Sequence, residues 1–231
     1  MKKILNYIPS MILTVLFIIW TVLVKTIDVS YIKDIGYLGF YHFNTLVSDS
    51  VREFARSELF DKLTDVGLYL SMAVAIFFIV LFIVQWAKRK SIKKVDKVLF
   101  ALLTAYVVSG AYYLIFEIVK INYSPLSTYD ELKASYPSTH VLLFIVLMVT
   151  GLIALFNYVK VNKVLRVISY SILGALVIVY CAARLYSLNH YFSDIIGSIL
   201  LSASIVALFI ALNRSFNKSE PSEKVEELPQ E

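Results

Sequence analysis

Arg184-Leu185-Tyr186-Ser187-Leu188-Asn189-His190-Tyr191-Phe192-Ser193-Asp194 joins two strongly apolar runs, Val167 to Ala183 and Ile195 to Leu212. Charged groups are expensive in hydrocarbon, so an arginine, a histidine and an aspartate at such a junction mark the place where two membrane-crossing segments meet water. Upstream, Tyr136-Pro137-Ser138-Thr139-His140 sets another histidine directly before the apolar run Val141 to Phe156, so two of the 3 histidines hold comparable positions.

The 231-residue chain is 59% hydrophobic and only 17% charged, outside the range of an ordinary soluble domain. Spanning a bilayer takes about 20 mostly apolar residues, and three further stretches approach that length: Ile8 to Val24, Val66 to Trp86 and Val98 to Phe116. A closed helical bundle satisfies every backbone polar group in lipid. The expected fold is therefore all-α, a polytopic six-transmembrane-helix bundle over 1–213. The first run follows Lys2 and Lys3 but has no small-residue cleavage site behind it, so it reads as an uncleaved first helix. From 214 to 231 the composition turns to Lys, Ser, Glu and Pro, which reads as a disordered charged tail.

Basic residues in short loops set orientation. Lys88, Arg89, Lys90, Lys93, Lys94 and Lys97 crowd between the second and third spans, and Lys160, Lys163 and Arg166 mark the next loop on that side. The chain is expected in the cell membrane, multi-pass, with both termini cytoplasmic and both histidine motifs at the outer face. In the outer segment 28–65, Val51 to Leu63 mixes apolar and charged residues at helical spacing, so an amphipathic surface helix is expected there. His42 lacks charged company and reads as a loop residue. The lone Cys181 falls inside an apolar run, so its expected role is packing, and neither a disulfide nor a multi-thiolate metal site is available. The loop cations account for the basic surplus without nucleic acid, no metal or cofactor is called for, and oligomeric state is not legible.

The chemistry starts from spacing. His190 and Asp194 are four residues apart and are expected to share one face at the start of the sixth span, where the carboxylate would fix the imidazole tautomer and leave the other nitrogen free to attack phosphorus. Arg184, on the same side, offers paired hydrogen bonds to phosphate oxygens. His140 opens a helix whose exposed N–H groups favour an anion, and it is placed to protonate a leaving alkoxide, with Ser138 bonding the same phosphate. Each residue alone fits a capping or anchoring role; together on one side they point to a site.

Pro137-Ser138-Thr139-His140 and Arg184-x5-His190-x3-Asp194 resemble the second and third signature motifs of the type 2 phosphatidic acid phosphatase superfamily, in order and in membrane sidedness. The resemblance runs from about the third span to the sixth. It implies a metal-independent membrane helical bundle with His190 as nucleophile, Asp194 as its partner, His140 as acid, and Arg184 with Ser138 as phosphate ligands. A phosphohistidine intermediate hydrolysed by water is implied with them.

Three departures qualify it. The first motif, a lysine, six intervening residues and then Arg-Pro, is matched by Glu117 and Ser124-Pro125, so both of its cations are absent. Lys120, three residues along, is the expected partial substitute, and Lys133 a weaker one. Thr139 replaces the usual glycine but keeps its backbone N–H for the phosphate, and Ala183 replaces a serine. The expected function is a lipid phosphatase whose substrate is a lipid phosphate or pyrophosphate: isoprenoid pyrophosphate, phosphatidate or phosphatidylglycerol phosphate. The alternatives are a lipid head-group phosphotransferase and a non-catalytic lipid-phosphate-binding protein.

Overall fold

The computed structural model describes residues 4–32, 36–55, 57–127 and 132–217. In chain order the elements are α1 (Ile8–Thr26), strands β1 (Ser30–Ile32) and β2 (Gly36–Leu38), α2 (Tyr41–Arg52), α3 (Ser57–Arg89), α4 (Lys97–Ile118), α5 (Thr139–Tyr158), α6 (Lys163–Tyr186) and α7 (Phe192–Asn217). All except the two strands and α2 are long and apolar enough to cross a membrane, which makes six spans among the described residues. Each apolar run read from sequence lies inside one of these helices. The protein is an all-α, multi-pass membrane bundle.

Its outside is apolar: Ile178 on α6 is 72% exposed and Val107 on α4 is 66% exposed, an arrangement that suits lipid and would be costly in water. Its inside contains α7, which packs on α1, α4 and α5 through small and hydroxyl-bearing residues that allow close approach. Ser198 Oγ donates to the Asp194 carbonyl at 2.8 Å, one turn back, and to the Ser138 carbonyl at 3.0 Å across the interface. Ser10 Oγ donates to the Ser204 carbonyl at 3.0 Å and ties α1 to α7. Gly197 is required by contact: a Cβ there would lie 2.6 Å from the Tyr136 ring. Tyr136 and Thr21 share a hydroxyl hydrogen bond of 2.7 Å, which holds the approach to α5 against α1.

The segment before α3 differs from expectation. Val51 to Leu63 is not one helix: α2 ends at Arg52, a turn follows, and Leu63 belongs to α3, which begins nine residues ahead of the apolar run at Val66. The surface helix is α2, and it docks through polar groups rather than an apolar face. Buried Asn44 donates to the Gly39 carbonyl at 2.8 Å and to Ser193 Oγ at 2.9 Å, and accepts from the Ser193 N–H at 3.2 Å. An antiparallel hairpin of β1 and β2 precedes it. Gly39 has no alternative, because a Cβ would fall 1.5 Å from the Val24 carbonyl oxygen. His42 lies on α2, exposed, with Nδ1 2.8 Å from Asp28 Oδ1. Cys181 packs against the buried cluster that contains Phe144 and Tyr180, as its apolar setting predicts. Arg214 to Asn217, read from sequence as the start of the charged tail, continue α7, and the rest of that segment, 218–231, lies outside the described residues.

Candidate active site

Three segments converge at one end of the bundle. The turn between α6 and α7 reverses at Leu188, a left-handed residue with φ of 58°, while the N–H of Ser187 closes α6 on the Ala183 carbonyl at 2.9 Å. Arg184 is thereby the last-turn residue of α6, and His190 stands two residues before α7 rather than on it. Ser138 stands at the N-cap position of α5 without a side-chain capping bond, and Thr139 and His140 open the helix. The connection from α4 folds back on itself through an isolated bridge, Tyr123 with Ala134, so that Ser124 and Lys133 lie side by side.

His140, His190, Arg184 and Thr139 line one cavity of about 190 Å³, together with Asn189, Glu117, Ser124, Lys133 and Ala134. The two motifs separated in sequence thus share a site, and both departures from the first motif fall inside it. Lys120 lines a different cavity of about 370 Å³, with Lys25, Tyr37 and Tyr123. The lysine on the histidine-lined cavity is Lys133, brought there by the fold-back that pairs Ser124 with Lys133, while Lys120, just past the end of α4, lines the other cavity.

His190 is buried and held at both nitrogens. Nδ1 lies 2.8 Å from the Ser135 carbonyl oxygen, which accepts only, and Nε2 lies 2.9 Å from an Arg184 NH2 group, which donates only. The two neighbours independently specify the neutral tautomer with its proton on Nδ1 and its lone pair on Nε2. Burial first, and the Arg184 charge second, hold the His190 pKa well below the ordinary histidine value.

The expected bond between Asp194 and His190 is absent. Asp194 is fully buried; Oδ1 accepts from Asn122 Nδ2 at 3.0 Å and Oδ2 from the Tyr191 N–H at 3.0 Å. The physical reason is the helix boundary: with α7 starting at Phe192, the carboxylate caps its own first turn, and the i,i+4 relation does not extend back to a residue outside the helix. The Ser135 carbonyl does the orienting instead.

A carboxylate pair does exist, on the other histidine. Asp65 Oδ1 lies 3.3 Å from His140 Nε2. One turn earlier on α3, Asp61 Oδ1 accepts from Arg184 NH1 at 2.7 Å and from Asn189 Nδ2 at 2.7 Å, and Thr64 Oγ1 takes a further Arg184 bond at 3.0 Å. The sequence reading left Asp61, Thr64 and Asp65 in the outer loop. Two carboxylates one turn apart, immediately ahead of an apolar run, were the available signal. Arg184 Nε and Ser138 Oγ are buried without hydrogen-bond partners among the described residues, and such groups call for a ligand or an explanation.

Residues 117–218 match the model of the PAP2 superfamily. The matched segment takes in the end of α4, the connection that follows it, and α5, α6 and α7. The fold of the chain is also similar to the crystal structure of a transmembrane PAP2-type phosphatidylglycerolphosphate phosphatase from Bacillus subtilis, with a TM-score of 0.62 at 14% identity over 94% of this chain and 99% of that one. No curated protein matches the chain.

Proposed function

We propose that this protein is a membrane lipid phosphatase of the PAP2 type that works through a phosphohistidine at His190. The observation that carries the reading is the double anchoring of His190, which presents an Nε2 lone pair on a neutral ring inside a cavity lined by an arginine. A substrate phosphate entering beside Arg184 takes up guanidinium bonds, including the unpartnered Nε, and draws the guanidinium off Nε2. Nε2 then attacks phosphorus, the bond to the lipid oxygen breaks, and the departing alkoxide takes a proton from His140. Asp65 beside His140 supports the protonated ring that this step needs. Water attacks the phosphohistidine with His140 now acting as base, releasing phosphate and restoring His190.

In this reading Lys133 supplies the cation that the first motif lacks, Thr139 contributes its N–H and Ser138 its hydroxyl to the phosphate, and Asp194 is a positioning residue acting through Asn122 and the Tyr191 backbone. The substrate is a lipid phosphate or pyrophosphate reached from the outer leaflet, with both termini cytoplasmic, as the loop cations argue. One observation favours a second reading. Glu117 on the same cavity offsets part of its positive charge, which suits a singly charged phosphodiester and hence head-group transfer to a lipid alcohol. Phosphate release by purified protein from a panel of lipid phosphates and pyrophosphates, with chelator present and with or without an acceptor alcohol, tests both. Free phosphate without acceptor supports hydrolysis, acceptor-dependent head-group transfer supports the second reading, and no turnover on any member contradicts both.

A further inference from the structure

At the opposite end of the bundle, Arg89, Lys93, Lys94, Asn157 and Tyr158 line a third cavity, of about 490 Å³. Continuous α3 separates it from the active site: from Asp61 to Arg89 the helix rises roughly 40 Å at about 1.5 Å per residue. Membrane orientation alone accounts for cations at this boundary, but not for a built cavity. The turn that carries them is pinned. Arg89 donates to Asp96 Oδ1 at 2.7 Å and to the Lys94 carbonyl, Gln85 Nε2 donates to Asp96 Oδ2 at 2.7 Å, and the Asp96 N–H returns a bond to Gln85 Oε1 at 3.0 Å. Asp96 is thus matched by Arg89, while no ion pair joins Lys93 or Lys94 to a carboxylate among the described residues. The surplus charge of the cavity is positive.

The same two helices that border this cavity, α3 and α5, enclose an apolar groove of about 540 Å³ lined by Phe77, Phe78, Met148 and Leu155. Gly151 permits the close approach that shapes it, since a Cβ there would meet Val74 at 2.6 Å. On α5, Leu155 at the end of the groove and Tyr158 on the basic cavity are within one turn, roughly 4.5 Å of rise. A free phosphate would use the cavity and have no need of the groove; a neutral lipid would use the groove and have no need of the lysines.

We propose that cavity and groove form one binding site for an anionic phospholipid of the leaflet opposite the active site, its phosphate head group between Lys93, Lys94 and Tyr158 and an acyl chain between α3 and α5. Charge complementarity selects the head group, and the groove selects a lipid over a soluble anion. The site is separate from the catalytic pocket and does not depend on turnover.

Native mass spectrometry of the purified protein tests this with phosphatidylglycerol and phosphatidylcholine offered in equal amounts. The expected result is preferential retention of phosphatidylglycerol by at least ten-fold, falling toward parity in the Lys93→Glu/Lys94→Glu variant and in the milder Lys93→Gln/Lys94→Gln variant, with thermal melts confirming that both remain folded. Leu155→Trp, which fills the groove, should reduce retention of the lipid, and millimolar inorganic phosphate should not displace it. A Lys160→Glu/Lys163→Glu control should keep the preference. Parity in the unaltered protein, equal loss in that control, or full displacement by inorganic phosphate would overturn the proposal.

Discussion

Asp65, in the first third of α3, holds His140 rather than His190, with its Oδ1 3.3 Å from the His140 Nε2. In the proposed mechanism the carboxylate support in this site therefore falls to the proton donor, and the nucleophile is oriented by a backbone carbonyl that does not titrate. That mechanism implies a division of labour in which Asp65 governs leaving-group protonation.

Asp65→Asn should accordingly lower kcat by about 10- to 100-fold on alkyl phosphates, within the usual span of general acid catalysis, and far less on p-nitrophenyl phosphate, whose leaving group needs no proton. His140→Ala should show the same dependence, more strongly. Equal losses on both substrates would remove Asp65 from the proton-transfer role.

The low His190 pKa fixes a sign for the pH dependence. Because the folded pKa is depressed, the His190 ring stays neutral as pH falls through about 6.5, and the acid limb of kcat/KM that the proposed mechanism assigns to it should lie below the ordinary histidine range. Stability runs the other way. Below about 6.5 the unfolded chain takes up a proton that folded His190 refuses, so this group costs stability as pH falls toward its folded value, and His190→Gln should lose less stability over that window. Melting curves at pH 7.5 and 5.5 for the two proteins check this.

Asp194→Asn should act on the scaffold as well as the rate. The substitution weakens the acceptors for Asn122 Nδ2 and the Tyr191 N–H, two buried bonds each worth about 1 to 3 kcal/mol when a partner is left unsatisfied. The expected outcome is a lower Tm together with lower activity, and strong non-additivity with Asn122→Ala in a double-mutant cycle. A pure kcat effect with unchanged Tm would restore Asp194 to a direct partnership with His190.

The spans were legible because a bilayer imposes one simple rule, a run of apolar residues, and Val98 to Phe116 or Ile195 to Leu212 satisfy it with nothing else needed. His140, His190 and Arg184 were legible because polar groups at span ends stand out against that background, and the structure does bring them to one cavity. Three things were not. The docking of α2 rests on Asn44 and Ser193, a polar interface with no apolar periodicity to read. The i,i+4 rule for His190 and Asp194 presumed a helix that begins only at Phe192. The choice between Lys120 and Lys133 depended on a fold-back fixed by hydrogen bonds between Asn122 and Ser135 and between Ser124 and Lys133, which spacing along the chain does not encode.

Ser124→Arg tests the electrostatics of the pocket. Ser124 and Glu117 line the cavity with Arg184 and His190, so a guanidinium at 124 should raise kcat/KM for dianionic monoesters by about 1 to 3 kcal/mol of transition-state stabilisation if phosphate occupies that space. Glu117→Lys should move in the same direction. If both substitutions instead lower turnover of monoesters while the unaltered protein transfers head groups, the phosphodiester reading gains the site.

The central claim is the covalent step at His190, and rapid-quench trapping with a phosphorus-labelled lipid substrate measures it directly. The account predicts a burst of protein-bound phosphate that is stable in alkali, labile in acid, localised to the peptide containing His190, and missing from His190→Ala although that variant stays folded. Steady phosphate release by His190→Ala at the unaltered rate, or turnover of the unaltered protein with no histidine-bound phosphate at any quench time, would contradict it.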